Sequence, residues 1–170
     1  MKKINCNVIV CGPAVGKTFL ANHDKRFIDL DEIKGRYKYG LDNVSSEVYE
    51  NGKLERGEVI NKDSSLYAIK ILKKEIKNNH IVLLSYNKKL IKYIQDNKIA
   101  YCLVYASLDS NEEYIERMKK RNNNEVFIKK MTDKEIWESF YYENKNDRNS
   151  TYKIELKKGQ YLSDIKDYFI

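Results

Sequence analysis

The feature that most constrains this chain is the eight-residue segment from Cys11 to Thr18, which has the sequence CGPAVGKT. It follows a short apolar run and precedes an amphipathic stretch, so it connects a predicted strand to a predicted helix. Glycines, a lysine and a threonine in this order allow backbone N–H groups, an ammonium and a hydroxyl to surround phosphates. The segment therefore predicts an α/β fold with a phosphate-binding loop after its first strand.

The individual residues of this loop have predicted roles. The predicted nucleotide-binding residues are Gly12, Pro13, Ala14, Val15, Gly16, Lys17, Thr18 and, further along the chain, Arg148. Lys17 is predicted to stabilise the phosphates of ATP or GTP during catalysis, and Thr18 to hold Mg²⁺. The usual pattern has glycine at the position of Cys11, and cysteine is acceptable there only if φ is not positive. The alternative is an ordinary turn that precedes an ordinary helix.

The rest of the chain alternates short apolar runs with amphipathic stretches. This pattern predicts a five-stranded, mostly parallel sheet with helices on both faces, and the glycine-lysine loop after its first strand makes the expected fold a P-loop NTPase fold. The predicted strands are residues 4–10, 27–30, 81–84, 100–105 and 152–156. The predicted helices begin at residue 17 and cover 64–77, 88–95 and 111–121; another starts at Thr132-Asp133, and a last one carries Leu162, Ile165 and Phe169. Residues 42–62 have little periodicity and are assigned to neither class.

Length and composition predict one folded domain over residues 1–170. The chain is 42% hydrophobic, contains one proline and has no glycine- or serine-rich linker. Its formal charge of +7 is spread along the chain, and six of its 32 basic residues are arginine. A diffuse positive field concentrates anionic small molecules, and it leaves a nucleic-acid partner open.

The cysteines and the apolar runs predict a cytoplasmic protein. The three cysteines are odd in number and lack the CxxC spacing of redox or metal sites, which indicates reduced thiols. The apolar run after the N-terminus is short and leads into the glycine-lysine loop, so no signal peptide is expected. No apolar run is long enough to span a membrane, and we expect no membrane partner.

Two aspartates follow the second predicted strand. Asp29 and Asp31 are two residues apart, so their side chains would point to the same side if the strand continues. They would lie at the carboxyl end of the sheet, where open α/β folds bind ligands. Asp29 is predicted to hold Mg²⁺ through water, and Asp31 to orient the acceptor and accept its proton. The alternative for Asp31 is an N-cap, without a chemical role. The third strand is followed by no aspartate, which disfavours a motor or a helicase.

Two arginines are candidates for a catalytic lid at about residues 112–131. Arg117 and Arg121 are four residues apart on a predicted helix and therefore share one face. Arginine binds phosphate oxygens in a bidentate manner, which suits the transferring phosphoryl group. The alternative is a basic face that only contacts solvent.

Two other arginines lie in the segment at about residues 35–62, which is the predicted acceptor-binding insert. Arg36 and Arg56 are the candidates for binding the acceptor's own phosphate, together with Asp31. A hydrogen bond to a charged group of this kind contributes about 1.5–3 kcal/mol. Either arginine could instead be a surface residue.

Several segments together resemble the small P-loop kinases of the nucleoside and nucleotide kinase class. They are the loop 12–18, the strand end Ile28-Asp29-Leu30-Asp31 and the helix from Tyr114 to Arg121. The sequence is especially similar to small, often phage-encoded, deoxynucleotide kinase-like proteins, including in residues 84–87, 100–105 and 159–164; shikimate and gluconate kinases carry a similar aspartate pair. The resemblance implies a lid over ATP and an acceptor site between the second-strand carboxylates and a mobile insert.

The sequence thus favours a Mg²⁺-dependent phosphotransferase that acts on a small acceptor, foremost a ribo- or deoxynucleoside monophosphate. Its predicted catalytic residues are Lys17, Asp31, Arg117 and Arg121. Two alternatives remain open: a nucleotide-binding regulatory or interaction protein with weak catalysis, and a kinase acting on polynucleotide ends. The chain is expected to be a monomer or a homodimer.

Overall fold

The computed structural model describes residues 3–32, 64–123 and 125–170. The predicted acceptor-binding insert at 35–62, including Arg36 and Arg56, lies outside the described residues. The glycine-lysine loop, both aspartates and the C-terminal half of the chain, apart from residue 124, lie within them.

A five-stranded sheet forms the centre of the described structure, and all of its strand pairs are parallel. Its strands are β1 (Val8–Cys11), β2 (Phe27–Asp29), β3 (Ile81–Ser85), β4 (Cys102–Ala106) and β5 (Tyr152–Leu156). The order across the sheet is β2-β3-β1-β4-β5, so β1 is central. The predicted α/β class and the predicted parallel sheet are confirmed.

Seven α-helices surround this sheet in the described ranges. They are α1 (Lys17–His23), α2 (Ser64–Lys77), α3 (Lys88–Asp96), α4 (Asn111–Lys120), α5 (Glu125–Thr132), α6 (Lys134–Lys145) and α7 (Leu162–Ile165). The Asp133 side chain accepts hydrogen bonds from the N–H groups of Glu135 and Ile136, which confirms the predicted helix start. None of these helices is long and apolar enough to cross a membrane.

The two faces of the sheet have separate apolar cores. Successive side chains of a strand point to opposite faces. In β1, Val8 and Val10 pack with apolar residues of α2 and α3, whereas Ile9 and Cys11 pack with residues of α4, α5, α6 and α7. Because all four residues are buried, β1 is a continuous apolar run, and its carboxyl end is held rigidly between two cores.

The first strand is shorter than predicted. It begins at Val8 and not at Ile4, because its hydrogen-bonded ladders with β3 and β4 start at Val8 and Ile9. Ile4 instead forms an isolated parallel bridge with Phe169 near the C-terminus. The apolar pattern identified a buried segment, but strand pairing decided where the strand starts.

Two helical predictions also differ from the structure. α5 was not predicted, because its residues 125–132 were assigned to a polar lid; it buries Met131 in the core beside α4. The last predicted helix is only four residues long and continues as a 3-10 turn over residues 166–168. Phe169 lies beyond that turn but is buried, as its apolar character predicted.

Candidate functional site

The loop of residues 12–16 connects the central strand β1 to α1. Ala14 has a φ of 57° and Gly16 a φ of 88°, a region in which glycine is favoured. Cys11 lies within β1, and it is not among the described residues with positive φ. The departure from the usual glycine at this position therefore introduces no backbone strain.

The loop is held from outside through its carbonyl groups. The N–H of Leu162 donates to the Val15 carbonyl at 3.0 Å, and Arg117 Nη1 donates to the Ala14 carbonyl at 3.4 Å. By contrast, no N–H from residue 14 to residue 18 donates a hydrogen bond to a described residue. A run of N–H groups without protein acceptors is the arrangement that binds anions.

Lys17 places a charge at the mouth of this loop. Its side chain is only 10% exposed; its Nζ donates to the Gly12 carbonyl at 3.1 Å and lies 3.4 Å from Asp31 Oδ2. Burial alone would lower the pKa of Lys17, but its interactions with Cys11, Asp31 and Asp29 raise it above the ordinary value. The lysine is therefore a buried cation at neutral pH.

Asp29 connects the first turn of α1 to the end of β2. Its Oδ2 accepts a hydrogen bond from Thr18 Oγ1 at 2.8 Å, and its Oδ1 accepts one from the Asp31 N–H at 3.0 Å. Thr18 and Asp29 are both buried. A hydroxyl and a carboxylate oxygen at this spacing are ligands that Mg²⁺ accepts, with water and phosphate oxygens completing its shell. The donor set thus fits the predicted metal.

Ser85 is a member of the site that the sequence did not identify. It ends β3, and its Oγ donates to Asp31 Oδ2 at 2.5 Å, with its N–H 3.4 Å from Asp31 Oδ1. The sequence signal for Ser85 is a polar residue at the carboxyl end of a predicted strand, which is a weaker indication of a site than an aspartate. Lys17, Thr18, Asp29, Asp31 and Ser85 are called the polar cluster below.

Arg117 does not lie in a lid. Its side chain is 7% exposed and donates to the Gln160 carbonyl at 3.1 Å from both Nη1 and Nη2, and it pairs with Glu113. Its guanidinium lies 3.6 Å from the centre of the Tyr161 ring. Arg117 is thus a buried connection between α4, the loop and the segment before α7.

Arg121 and Arg117 therefore do not form the shared basic face that their spacing predicted. Arg121 follows the last residue of α4 as its C-cap and is exposed, whereas Arg117 turns into the core. Arg148 is exposed between α6 and β5, and no hydrogen bond or ion pair joins it to the polar cluster within the described ranges. Catalytic or nucleotide-binding roles for these three arginines stay predictions.

A cavity of about 650 Å³ adjoins the polar cluster. Its wall includes Gly12 and Pro13 of the loop and Ser85 at the end of β3. From there it extends over the carboxyl end of β4, between α3 on one side and α5 and α6 on the other. The chain leads from β1 to β2 at one edge of the sheet and from β4 to β5 at the other edge. Ligands of open α/β folds bind in the crevice between two strands whose connections diverge in this way.

The fold and this site together define an α/β protein whose all-parallel sheet carries a glycine-lysine loop and a polar cluster at its carboxyl edge. No protein-family model matches the chain, and a search of curated proteins finds no match. Among solved structures, the chain is similar to an uncharacterized protein from Eubacterium ventriosum at 14% identity, with a TM-score of 0.45. That similarity covers 98% of this chain and 95% of the other.

Proposed function

We propose that this protein is a Mg²⁺-dependent P-loop kinase that transfers the γ-phosphoryl group of ATP to a small acceptor, foremost a ribo- or deoxynucleoside monophosphate. One observation carries the proposal. The Lys17 ammonium lies between the loop carbonyl of Gly12 and the Asp31 carboxylate, beside loop N–H groups that donate to no described residue. A fixed cation beside outward-facing donors is what a bound polyphosphate requires.

The roles proposed for the cluster follow from its charges. The N–H groups of residues 14–18 bind the β- and γ-phosphates. Lys17 leaves Asp31 and contacts the phosphate oxygens on which negative charge develops during transfer. Thr18 and Asp29 are the residues that would hold Mg²⁺, which supplies positive charge next to the phosphates. Asp29 would act through water, so it could keep accepting the Thr18 hydrogen bond beside the metal.

Asp31 is the proposed partner of the acceptor. Its Oδ2 accepts a hydrogen bond from Ser85 Oγ and lies 3.4 Å from Lys17 Nζ. When Lys17 turns to the phosphates, the carboxylate is positioned by Ser85 and faces the cavity edge. It can then orient the acceptor for in-line attack and take up the proton that the acceptor loses. Positioning of this kind is the main contribution of a protein to phosphoryl transfer.

The order of the strands supports the P-loop NTPase fold as part of this proposal. The loop follows the central strand, and β2 and β3, which carry the aspartates and Ser85, lie on one side of it. Phosphate-binding loop and acceptor residues are thus carried by three adjacent strand ends, which rigid cores hold in place.

The proposal is tested by ADP release from Mg-ATP, with and without a panel of ribo- and deoxynucleoside monophosphates. Release stimulated by an acceptor is expected, and Lys17→Ala should reduce it about 10²–10³-fold, because the mutant lacks a charge that stabilises the transition state. Lys25→Ala, which removes an exposed lysine just after α1, is the matched control.

Two results would contradict the proposal. Wild-type turnover in Lys17→Ala would remove the loop from catalysis. Tight nucleotide binding without stimulation by any acceptor would instead favour a nucleotide-binding regulatory protein.

A further inference from the structure

The cavity beside the polar cluster is large enough for a mononucleotide-sized ligand. Its volume of about 650 Å³ lies within the range of small-molecule sites, about 300–1,000 Å³. Ser85 belongs to its wall and also binds Asp31, so one residue connects the cavity to the proposed acceptor carboxylate. A ligand in the cavity would have one end within reach of the phosphoryl group.

The walls of this cavity are rich in aromatic rings that come from four different elements. These rings belong to Tyr105 of β4, Tyr114 of α4, Phe127 of α5, and Trp137, Phe140 and Tyr141 of α6, and Tyr86 after β3 and Tyr101 before β4 also line the cavity. Aromatic faces bind planar rings by stacking, and each stacked nucleobase contributes about 1–3 kcal/mol. A polyol or a sugar acid has no flat apolar face and would leave these walls poorly covered. The lining therefore favours an acceptor that contains a planar ring.

Tyr114 adds a polar group to this aromatic lining. The residue is 2% exposed, and its hydroxyl makes no hydrogen bond of good geometry to a described residue, although the Arg117 guanidinium lies beside its ring and favours the ionised form. Burial raises the pKa of Tyr114 to about 12, so the hydroxyl stays protonated and remains a donor. A buried hydroxyl without a partner is unfavourable, and a ring nitrogen or carbonyl of a ligand would satisfy it.

The charged residues of the cavity give it a direction. Lys88 and Lys92 lie one turn apart on α3 and line the wall near Ser85, whereas Glu143 and Asp147 line the wall at the end of α6. Lys92 forms an ion pair with Asp96, which offsets its charge. Lys88 therefore attracts an anion near the polar cluster more strongly than Lys92 does. An anionic group is thus favoured at the α3 side, and the ring at the α6 side.

From these contacts we infer that the cavity is the binding site for the ring of the acceptor: an uncharged planar heterocycle stacks on the aromatic wall around Trp137 and accepts a hydrogen bond from Tyr114. This inference rests on the proposed function and adds to it the place where the ring of the acceptor binds. The ring carries specificity, and the attached phosphate points toward Ser85 and Asp31.

Trp137 makes the inference directly measurable. It is the single tryptophan of the chain, it is buried, and it lines the cavity, so a ring stacked beside it should change its fluorescence. The four common deoxynucleoside monophosphates are titrated into the wild-type protein without ATP, and ribose 5-phosphate serves as the probe with sugar and phosphate but no base. N-acetyltryptophanamide, titrated in parallel, corrects for light that the bases absorb.

We expect at least one nucleotide to give a saturable change in Trp137 emission and to bind at least about 10-fold more tightly than ribose 5-phosphate, since stacking is lost with the base. Tyr114→Phe should weaken that nucleotide about 5- to 20-fold, because only the hydroxyl is removed. Tyr152→Phe, a half-buried tyrosine of β5 outside the cavity wall, should bind as the wild type does.

The same titrations separate this inference from the kinase proposal. Equal affinity for ribose 5-phosphate and the nucleotides, or no emission change with any of them, would overturn the ring site even if ATP turnover is observed. Unchanged nucleotide affinity in Tyr114→Phe would overturn the hydroxyl's role. Lys17→Ala should keep the emission change while losing turnover; if the wild type shows the emission change but no turnover with any acceptor, the kinase proposal fails and the ring site stands.

Discussion

Ser85 is the side chain that positions the proposed acceptor carboxylate of Asp31. Its hydroxyl and its N–H both face Asp31, and within the described ranges neither donates to the loop of residues 12–16. We expect Ser85→Ala to lower kcat about 10-fold while ATP affinity is unchanged, because a hydrogen bond to a charged group contributes about 1.5–3 kcal/mol. Steady-state kinetics measure this, with the exposed Ser139→Ala of α6 as control. An unchanged kcat would show that Asp31 does not depend on Ser85.

The three cysteines should be inert in the folded protein. Burial raises the pKa of Cys6 to about 11 and that of Cys11 to about 12, and it also raises the pKa of Cys102. A raised pKa keeps each thiol protonated at pH 8, and the thiolate is the reactive form. Iodoacetamide at pH 8 should therefore leave the native mass unchanged and label all three cysteines in guanidinium. Rapid native labelling of Cys11 would instead mean that the end of β1 opens.

The helix α4 contains the sharpest contrast between two similar residues. Arg117 is buried and hydrogen-bonded to two main-chain carbonyls, whereas Arg121 is exposed at the end of the helix. Removing one partner of a buried pair costs about 3–5 kcal/mol, so Arg117→Ala should lower the free energy of unfolding by that order. Arg121→Ala should change it by less than about 0.5 kcal/mol.

Urea denaturation measures both arginine variants under the same conditions. A similar small effect of the two substitutions would argue against Arg117 as a structural connection and would favour the shared basic face that the sequence predicted. A loss of ATP affinity in Arg117→Ala is also expected, because the Ala14 carbonyl would lose its donor.

Across the protein as a whole, the net charge of +7 raises the question of a polynucleotide acceptor. A protein that contacts 6–10 phosphates loses about 10³–10⁵ in affinity between about 50 and 200 mM salt. We expect KM for the preferred mononucleotide to change by less than about threefold over this range, because a small acceptor makes few charged contacts. The polynucleotide kinase would be favoured by two results together. A 5′-hydroxyl oligonucleotide would have to outcompete the mononucleotide, and its KM would have to rise far more steeply with salt.

Much of the architecture could be predicted because its causes are local. The 3.6-residue periodicity of residues 64–77 and the Asp133 cap act within a few turns, and both helices were predicted at the observed places. The glycine-lysine loop and the spacing of Asp29 and Asp31 are likewise short-range patterns. These local patterns alone therefore predict Lys17, Thr18 and the two aspartates as one site, without the strand order.

Other features depend on which distant segments meet. Ser85 binds Asp31 across 54 residues of chain, and Arg117 binds Ala14 across 103. No local pattern contains such a pairing, because it follows from the strand order and from the packing of α4 against the loop. For the same reason the sequence presented Arg117 as a surface residue and left the aromatic cavity unseen. Local propensities select the elements, whereas burial of their faces against one another selects the contacts of each side chain.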